Sequence, residues 1–483
     1  MFLSCFSQRS LVTKGLDAER IPVTTTTSQE IQVNNNEPEV LAASARPLAR
    51  AVAAGLVCLT AASWIAPASA NVVTEWNAIA LSCIARGGPA NALDVSLVQA
   101  AVHDAVQAIE KRYEPYLSSP AAQGTESKAA AAAAAAYWVL TDNRVCPDTA
   151  QPTLDAAFLP WKNGNDAGLV IGKAAADAIL ATEYRADNGA VWNGKVEVGQ
   201  WRPTPPGLAT MAFVYVATTK PFVMDKPEQF RPGPPPALNS DKYTREYNEA
   251  KAKGSTLSHP ATNACPAPAD TDKARFWAGN FGAQWNQTMR DVAIDRQLGL
   301  GDTARLLALG NLAAADAGIA VWDSKLHYNY WRPITAIREG DADGNANTVG
   351  DASWTPFIQT LSAQTPAYPD FVSGANGVTG AFTTILQLFF KSDFVPLAVN
   401  KAPLAATVPI CTTPRLFRRI SDAAEEVVEA RILLGIHFRS ADVVARQLGT
   451  RVAWNTFTHA LRPLHNNYHG FGNGHDDDDH GHD

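Results

Sequence analysis

Apolar residues recur at helical spacing along most of the chain, and they predict an all-α fold. In residues 92–113, Leu97, Val102, Val106 and Ile109 follow such a spacing. Further helical patterns, the first of them rich in alanine, cover residues 127–140, 166–184, 273–292, 303–322, 378–390, 421–436 and 441–461. No run alternates cleanly with period two and no fixed repeat is visible, so neither a sheet nor a repeat array is predicted.

The helical pattern is interrupted by residues 201–241, which contain nine prolines. Proline removes a backbone donor and clashes with the preceding turn, so this segment cannot continue as helix. Phe213, Tyr215, Phe222 and Phe230 are interleaved with the prolines, and aromatic side chains favour burial. We therefore predict a long irregular connection packed on the body. It would belong to an N-terminal helical bundle over residues 71–255, followed by a C-terminal bundle over residues 256–470.

Composition and charge are those of a soluble globular protein. The 483 residues are 46% hydrophobic and 18% charged, and the formal net charge is -7. This balance does not favour nucleic acid or an anionic membrane as a partner. Much of the negative charge lies in residues 471–483, a Gly/Asp/His-rich tail that is predicted to be disordered.

A segment before residue 70 has the pattern of a signal peptide. Arg46 and Arg50 precede the apolar run 51–66, and Ala68-Ser69-Ala70 follows as an Ala-x-Ala cleavage site. We expect residues 1–70 to be a targeting segment, with cleavage after Ala70 and a secreted or periplasmic product. A loosely packed N-terminal helix is the alternative. We expect no apolar span of 18 residues and no stable membrane insertion.

Four cysteines follow the expected cleavage point: Cys83, Cys146, Cys265 and Cys411. An even number is compatible with two disulfides in an oxidising compartment. Their wide spacing fits no zinc site. Free buried thiols are the alternative, and the sequence does not predict the pairing.

The candidate chemistry lies in three short blocks within the last third of the chain. They contribute three cations, a hydroxyl, a glycine amide and an imidazole, namely Lys325, Arg332, Ser373, Gly374, Arg431 and His437. Guanidinium groups match the oxygens of a tetrahedral anion with paired, charge-assisted hydrogen bonds. A Ser-Gly turn at a helix start adds free backbone N–H groups. The set predicts an oxyanion site in which His437 attacks or ligates the central atom.

The spacing within the blocks also predicts local structure. Lys325 and Arg332 are seven residues apart, which places them on roughly one face of a helix, and Pro333 is expected to end or kink that helix. Gly435 lies between Arg431 and His437, where it is expected to allow a close approach of the chain.

The three blocks resemble the vanadium-dependent haloperoxidases and the wider type 2 phosphatidic acid phosphatase superfamily. The family pattern is Lys-x6-Arg-Pro, Pro-Ser-Gly-His and Ser-Arg-x5-His-x3-Asp. This chain has Lys325-x6-Arg332-Pro333, Val372-Ser373-Gly374-Ala375 and Ala430-Arg431-x5-His437-x3-Ala441. The resemblance covers about residues 71–465 and is greatest to the exported bacterial haloperoxidase-like branch.

This resemblance implies two packed helical bundles and a bound vanadate, or a phosphate in the same site. It implies that His437 is the axial vanadium ligand, or the phosphorylated nucleophile of a phosphatase. The oxygens would be held by Lys325, Arg332, Ser373, Gly374 and Arg431. Trp322 and Tyr368 fall where the family keeps aromatic residues near the halide. The implied partners are hydrogen peroxide, a halide and a small organic acceptor, and a homodimer is compatible with the family.

Two positions depart from the family pattern. Ala375 replaces the acid–base histidine, and a positioned acid–base contributes roughly 10²–10⁴-fold in rate. Asn376 can hydrogen-bond but cannot titrate. His327, within the first block, is the other residue that could reach the site in place of the missing histidine. The carboxylate expected at position 441 is displaced to Asp442, a rotation of about 100° around a helix.

Three functions therefore stay open. The preferred one is a haloperoxidase-type oxidoreductase with an altered acid–base. The second is an acid phosphatase, a phosphomonoesterase with His437 as its nucleophile. The third is a non-catalytic relative that binds an oxyanion without turnover.

Overall fold

The structure is a computed structural model that describes residues 71–84, 87–163, 166–182, 189–260, 265–361, 363–401 and 411–464. All of these residues belong to one compact unit. The predicted targeting segment, residues 1–70, and the predicted disordered tail, residues 471–483, lie outside the described residues. The bundle boundaries at 255 and 256 stay a prediction.

The described residues form 13 α-helices, which confirms the all-α fold class. The first six helices are α1 (Val72–Cys83), α2 (Gly88–Glu110), α3 (Lys128–Leu140), α4 (Gln151–Phe158), α5 (Asp166–Leu180) and α6 (Asp241–Lys253). The others are α7 (Ala269–Phe276), α8 (Phe281–Asp295), α9 (Leu300–Tyr328), α10 (Pro333–Arg338), α11 (Gly374–Phe390), α12 (Ile420–Leu433) and α13 (Arg439–His459). One short antiparallel pair, β1 (Leu397–Val399) with β2 (Arg415–Phe417), was not predicted.

Helix α9 lies at the centre of the fold, where it packs against α2, α11 and α13. Small residues permit this close packing, because a Cβ added at Gly310 would lie 2.6 Å from the Cε atom of Met289. By length and apolar composition α9 could cross a membrane, and its apolar window is 100% buried within the protein. The expectation that the chain lacks an apolar span of 18 residues was therefore wrong, and this span is a core helix.

The helical pattern of residues 273–292 is divided between two helices. Helix α7 ends at Phe276, and Asn280 caps α8 by accepting a hydrogen bond from the backbone N–H of Ala283. An asparagine at this position competes with helix continuation and favours a new start. The break lies beside the candidate site, as described below.

The prediction that Lys325 and Arg332 share one helix was wrong. Helix α9 ends at Tyr328, where Asn329 adopts a left-handed conformation with φ 44°. Pro333 does not end this helix. It starts the next one, since it occupies the first turn of α10 and Arg332 is the N-cap residue. Proline is well suited to a first turn because its missing N–H has no intrahelical partner there.

The proline-rich connection is irregular and packs on the body, as predicted. It contains two short 3₁₀ turns, Val214–Thr218 and Pro227–Phe230, and both contact α9. Asp316 of α9 anchors it. The buried carboxylate accepts hydrogen bonds from the backbone N–H groups of three consecutive residues at 2.7, 2.8 and 2.9 Å, namely Phe222, Val223 and Met224. Burial raises the pKa of Asp316 to about 6, and the three donors partly offset this effect.

The four cysteines form two disulfides, Cys83–Cys146 and Cys265–Cys411. The first joins the end of α1 to the segment after α3, and the second joins segments that are 146 residues apart. The disulfide alternative of the sequence analysis is therefore confirmed, and the structure supplies the pairing.

Candidate oxyanion site

The structure brings the three blocks of the sequence together at the ends of five helices. Lys325 is in the last turn of α9, Ser373 caps α11, and Arg431 is in the last turn of α12. Arg332 caps α10, and His437 lies just before α13. These five residues are between 0% and 8% exposed. Gly374, the first residue of α11, is partly exposed.

Backbone carbonyl groups hold the first two cations in place. The Nζ atom of Lys325 donates hydrogen bonds to the carbonyl oxygens of Pro369 at 2.5 Å and Asp370 at 3.1 Å. Arg332 donates from Nε to the carbonyl of Tyr368 at 2.8 Å and from Nη1 to that of Ile436 at 2.7 Å. Burial, together with the positive charge of Arg332, lowers the pKa of Lys325 well below its usual value. An anion bound among these cations would oppose that shift.

Two guanidinium nitrogens in this site have no hydrogen-bond partner among the described residues. They are Nη2 of Arg332 and Nε of Arg431. Arg431 donates from Nη1 to the carbonyl of Trp277 at 3.1 Å, and its Cζ atom lies 5.2 Å from the ring centroid of Phe281. Burial lowers the pKa of Arg431 to about 10. A buried donor without an acceptor is costly, so both atoms indicate a place for an anion.

The N-terminus of α11 adds a hydroxyl and free amide groups. The Ser373 side chain accepts a hydrogen bond from the backbone N–H of Asn376 at 3.4 Å, and its own N–H donates to the carbonyl of Ala441 at 2.9 Å. The first-turn amides and the dipole of this 17-residue helix favour negative charge. A Cβ at Gly374 would lie 3.3 Å from the Trp322 ring, so glycine lets the helix begin against that ring.

His437 is oriented by a carboxylate that the sequence analysis missed. Its Nδ1 atom lies 2.7 Å from Oδ1 of Asp370, and both side chains are buried. Burial raises the pKa of Asp370 well above its usual value, while burial beside three cations lowers that of His437. A carboxylate that accepts from Nδ1–H leaves Nε2 as the unprotonated nitrogen that can ligate or attack, and Nη1 of Arg332 lies 3.3 Å from it. The only sequence signal for this role of Asp370 is its position as an acidic residue three positions before Ser373.

The displaced carboxylate Asp442 has a different partner. It lies in the first turn of α13, and its Oδ1 atom accepts a hydrogen bond from Nδ2 of Asn376 at 2.8 Å. Burial raises the pKa of Asp442 to about 7, and the Ser373 hydroxyl, Arg431 and Asn376 partly offset this effect. Asn376 follows Ala375 in the first turn of α11. Its hydrogen bond therefore links the titratable carboxyl of Asp442 to the turn in which Ala375 replaces the family's acid–base histidine.

His327 is outside the site. Its side chain is exposed, and its ring contacts that of Tyr328, with 4.7 Å between the centroids. The idea that it could replace the missing acid–base histidine was therefore wrong. The reason is local: His327 is two residues beyond Lys325 on α9, which turns it by about 200° around the helix.

A cavity of about 330 Å³ opens in front of Gly374 and Ala375. Trp322 and Tyr368 line it, with 4.9 Å between their ring centroids, and Lys325 Nζ lies 4.9 Å from the Tyr368 centroid. The structure thus places both predicted halide-site aromatic residues beside the cationic site. Their role at a halide stays a prediction.

The fold and the site define an all-α helical-bundle protein with a buried cationic centre, and comparisons with known proteins agree. The family model described as the VCPO second helical-bundle domain matches residues 305–466. The vanadium chloroperoxidase of Curvularia inaequalis is 27% identical over 305 residues, which are 51% of this chain and 48% of that protein. The chain thus matches about half the length of this curated relative. The family model and the curated relative show that the chain is similar to the vanadium haloperoxidases.

Solved structures show the same fold. A bacterial vanadium-dependent iodoperoxidase superposes with a TM-score of 0.67 and 23% identity, covering 81% of this chain and 96% of that one. A holo-type bacterial vanadium-dependent chloroperoxidase gives a TM-score of 0.57 and 18% identity, with 77% and 92% covered. At these identities the two structures support the fold and carry no conclusion about activity.

Proposed function

We propose that the protein is a vanadate-dependent peroxidase that uses hydrogen peroxide to oxidise a halide. The observation that carries this proposal is the pair of buried guanidinium nitrogens without partners, on Arg332 and Arg431, in a site that also holds His437. Three cations, a helix N-terminus and an imidazole form a donor set that fits vanadate. When bound, vanadate supplies a Lewis-acidic centre that activates peroxide for transfer of oxygen to halide.

Each residue of the site would have a distinct part in holding the anion. Lys325, Arg332 and Arg431 would balance its negative charge, and the Ser373 hydroxyl with the Gly374 amide would hold its oxygens. His437 would hold the vanadium through Nε2, with Asp370 fixing the orientation of the ring. Trp322 and Tyr368 would form the halide site beside Lys325.

Proton handling is the weak point of this site. Ala375 cannot transfer a proton, and Asp442 is connected to the site through Asn376 and Ser373. Hydrogen peroxide brings its own acidic proton, so the peroxidase reaction tolerates the loss better than hydrolysis of a phosphate ester with a poor alkoxide leaving group. We therefore propose slow turnover.

A phosphomonoesterase is the second candidate, and the His437–Asp370 hydrogen bond favours it. A carboxylate that orients an imidazole would also prepare Nε2 for attack on phosphorus. Binding of an oxyanion without turnover is the third candidate. All three use the same cationic site.

Vanadate binding and two activity assays separate these candidates. We would titrate vanadate by ultraviolet difference spectroscopy with the wild type, Ala375→His and His437→Ala. The same proteins would be assayed for bromination with peroxide when loaded with vanadate, and for hydrolysis of 4-nitrophenyl phosphate without it. We expect tight vanadate binding by the wild type and Ala375→His, and weak binding by His437→Ala. Bromination by Ala375→His should be roughly 10²-fold faster or more.

His327→Ala is the matched control, because this histidine is exposed and outside the site. It should leave vanadate binding and both activities unchanged. If the wild type binds no vanadate, the oxyanion site is wrong. If vanadate binds tightly and Ala375→His improves neither activity, the non-catalytic candidate is preferred.

We also propose that the protein acts outside the cytoplasm. The disulfides Cys83–Cys146 and Cys265–Cys411 support this proposal, because structural disulfides persist in oxidising compartments. The cleavage site after Ala70 lies outside the described residues. Sequencing the N-terminus of the exported protein would test it.

A further inference from the structure

Trp277 lies at the break between α7 and α8 and contacts two residues of α12. Its indole Nε1 donates a hydrogen bond to Oε1 of Glu426 at 2.8 Å. Its carbonyl oxygen accepts a hydrogen bond from Nη1 of Arg431 at 3.1 Å. Glu426 and Arg431 are five residues apart on α12. One tryptophan therefore connects an anion-holding arginine with a carboxylate outside the oxyanion site.

The carbonyl group of Trp277 is available to Arg431 because α7 ends there. Helix α7 ends at Phe276, and Trp277 is its C-cap residue. The last carbonyl groups of a helix have no partner within it, and a cationic side chain is a suitable donor to them. Nη1 of Arg431 is that donor, so the break between the two helices fixes one end of the guanidinium group. The Nε atom of the same group is left for the anion.

The Trp277 ring is packed between two other aromatic rings. It is 0% exposed, and the ring centroids of Phe281 and Trp285 lie 6.0 and 6.1 Å away, with the planes 7° and 26° from parallel. Nε1 of Trp285 donates a hydrogen bond to Oγ1 of Thr379 on α11 at 3.0 Å. Phe281 also lies against the guanidinium group of Arg431. The same aromatic stack therefore orients Trp277 and the arginine that Trp277 holds.

Glu426 is held in place by a second donor, Arg415. Nη1 of Arg415 donates to Oε2 of Glu426 at 3.3 Å, and its Nη2 donates to Oδ2 of Asp272 on α7 at 3.0 Å. The other carboxylate oxygen, Oε1, is thus directed at the indole of Trp277, as a charged acceptor. Removal of this acceptor would leave a buried N–H group without a partner, which is costly.

We propose that Trp277 and Glu426 are positioning residues for Arg431 in the oxyanion site. The Trp277 carbonyl fixes the place of the guanidinium group, and Glu426 fixes the place of Trp277. Both residues act through Arg431 and not on the anion itself. A planar guanidinium group binds an oxyanion well only when its N–H groups point at the oxygens, so a small displacement weakens binding. This proposal rests on the proposed function, because it concerns how the same anion is held.

Phosphate affinity, measured by calorimetry, tests this proposal with Glu426→Ala, Glu426→Gln and the control Glu425→Ala. Alanine removes the acceptor of the Trp277 indole. Glutamine keeps a carbonyl oxygen for the indole and removes the negative charge that faces Arg415. Glu425 is the adjacent residue on α12, its side chain is 61% exposed, and its ion pair is with Arg446. The control therefore removes an acidic side chain and an ion pair from the same helix without a contact to Trp277.

The Glu426→Ala change in an Arg431→Ala protein separates positioning from a general loss of structure. If Glu426 acts through Arg431, its removal has no further effect on phosphate affinity once the arginine is absent. A general loosening of the fold would weaken phosphate binding in both proteins. If the Arg431→Ala protein binds no phosphate, the comparison of Glu426→Gln with Glu426→Ala decides between the two.

We expect Glu426→Ala to bind phosphate roughly tenfold more weakly than the wild type. Glu426→Gln should restore most of this loss, and Glu425→Ala should bind phosphate as the wild type does. The proposal is overturned if Glu426→Ala binds phosphate as tightly as the wild type, if Glu426→Gln is as weak as Glu426→Ala, if the loss persists without Arg431, or if the wild type binds no phosphate.

Bromination by the vanadate-loaded wild type keeps this test separate from that of the proposed function. If Glu426→Ala weakens phosphate binding as expected and the wild type does not brominate, the proposed function fails and the positioning role stands. If the wild type brominates and Glu426→Ala binds phosphate normally, the proposed function stands and the positioning role fails.

Discussion

The Nδ1 atom of His437 lies 2.7 Å from Oδ1 of Asp370, and the two side chains are buried together. The same aspartate provides, through its carbonyl oxygen, an acceptor for Lys325. One loop residue therefore positions two members of the oxyanion site. Substitution of Asp370 therefore tests the arrangement of the site most directly.

Asp370→Asn should weaken vanadate binding by roughly 10- to 100-fold, the usual effect of losing a carboxylate that orients a ligating histidine. The asparagine keeps the size of the side chain but cannot fix the Nδ1–H tautomer by charge. Vanadate titration by difference spectroscopy measures the effect. Asp225→Asn is the control, because Asp225 is exposed. Equal affinities of Asp370→Asn and the wild type would show that Asp370 has no such role.

Anion binding should depend on the protonation of Asp442. Burial raises the pKa of its carboxyl to about 7, so it is neutral below this pH and negative above it. The charged or titratable groups that face it are Lys325, Arg332, Asp370 and Arg431. Affinity for sulfate, whose charge is constant in this range, should therefore fall as pH rises through 7. Loss of the proton of Lys325 would also lower the affinity for sulfate as the pH rises, because it removes a positive charge from the site.

Asp442→Asn separates the two contributions, because it keeps an acceptor for Asn376 and removes the titration. At pH 6 the variant and the wild type should bind sulfate equally. At pH 8 the variant should bind it up to about tenfold more tightly, because the wild type can avoid the repulsion by protonating Asp442, which costs about 1.4 kcal/mol one pH unit above its pKa of about 7. Calorimetric titration at both pH values is the measurement. Parallel pH profiles for the two proteins would exclude Asp442 as the cause.

Gly435→Ala should destabilise the fold by about 2–3 kcal/mol, because it combines backbone strain with overpacking. Gly435 has φ +73°, and a Cβ there would lie 2.3 Å from the carbonyl oxygen of Gly254. Gly233→Ala is the control, since a Cβ at Gly233 meets nothing within 4 Å. Denaturant unfolding compares the two variants. Equal unfolding free energies would mean that the chain relaxes at Gly435 without cost.

Asp316→Asn should loosen the proline-rich connection. The three backbone N–H groups that it holds would lose a charged acceptor, and we expect a loss of about 2–3 kcal/mol in the free energy of unfolding. Limited proteolysis, followed by mass spectrometry, should show new cleavage within residues 201–241. The Asp225→Asn protein serves again as the comparison. Identical cleavage patterns would contradict the anchoring role.

Local patterns predicted the parts of the fold that depend on local physics. Small and apolar residues at helical spacing predicted α2, α3, α9, α11 and α13, and nine prolines predicted the irregular connection. Helices α1, α4, α6 and α10 were not predicted, because their apolar residues form no long periodic run. The turn at Asn329 was missed because a single left-handed residue has no periodic signal.

The members of the candidate site could be predicted, because their spacing in the sequence matches the family pattern. Their hydrogen-bond partners could not be predicted. Asp370 and Asn376 acquire their roles from contacts 67 and 66 residues away in the chain. An acidic residue and an amide in a loop look the same in sequence whether they face solvent or a buried histidine. Only the tertiary fold distinguishes the two cases.

The residues at the start of α2 form one wall of the cavity beside the candidate site, although they lie outside the segment that the family model matches. The segment matched by the family model, residues 305–466, contains every predicted anion-holding side chain. It lacks Gly88 and Pro89 of the wall, and it also lacks Phe281. In a fragment limited to that segment, Arg431 would lose its contacts with the Trp277 carbonyl and the Phe281 ring. The cavity is thus formed by the whole folded body, and the segment that the family model matches supplies only part of its lining.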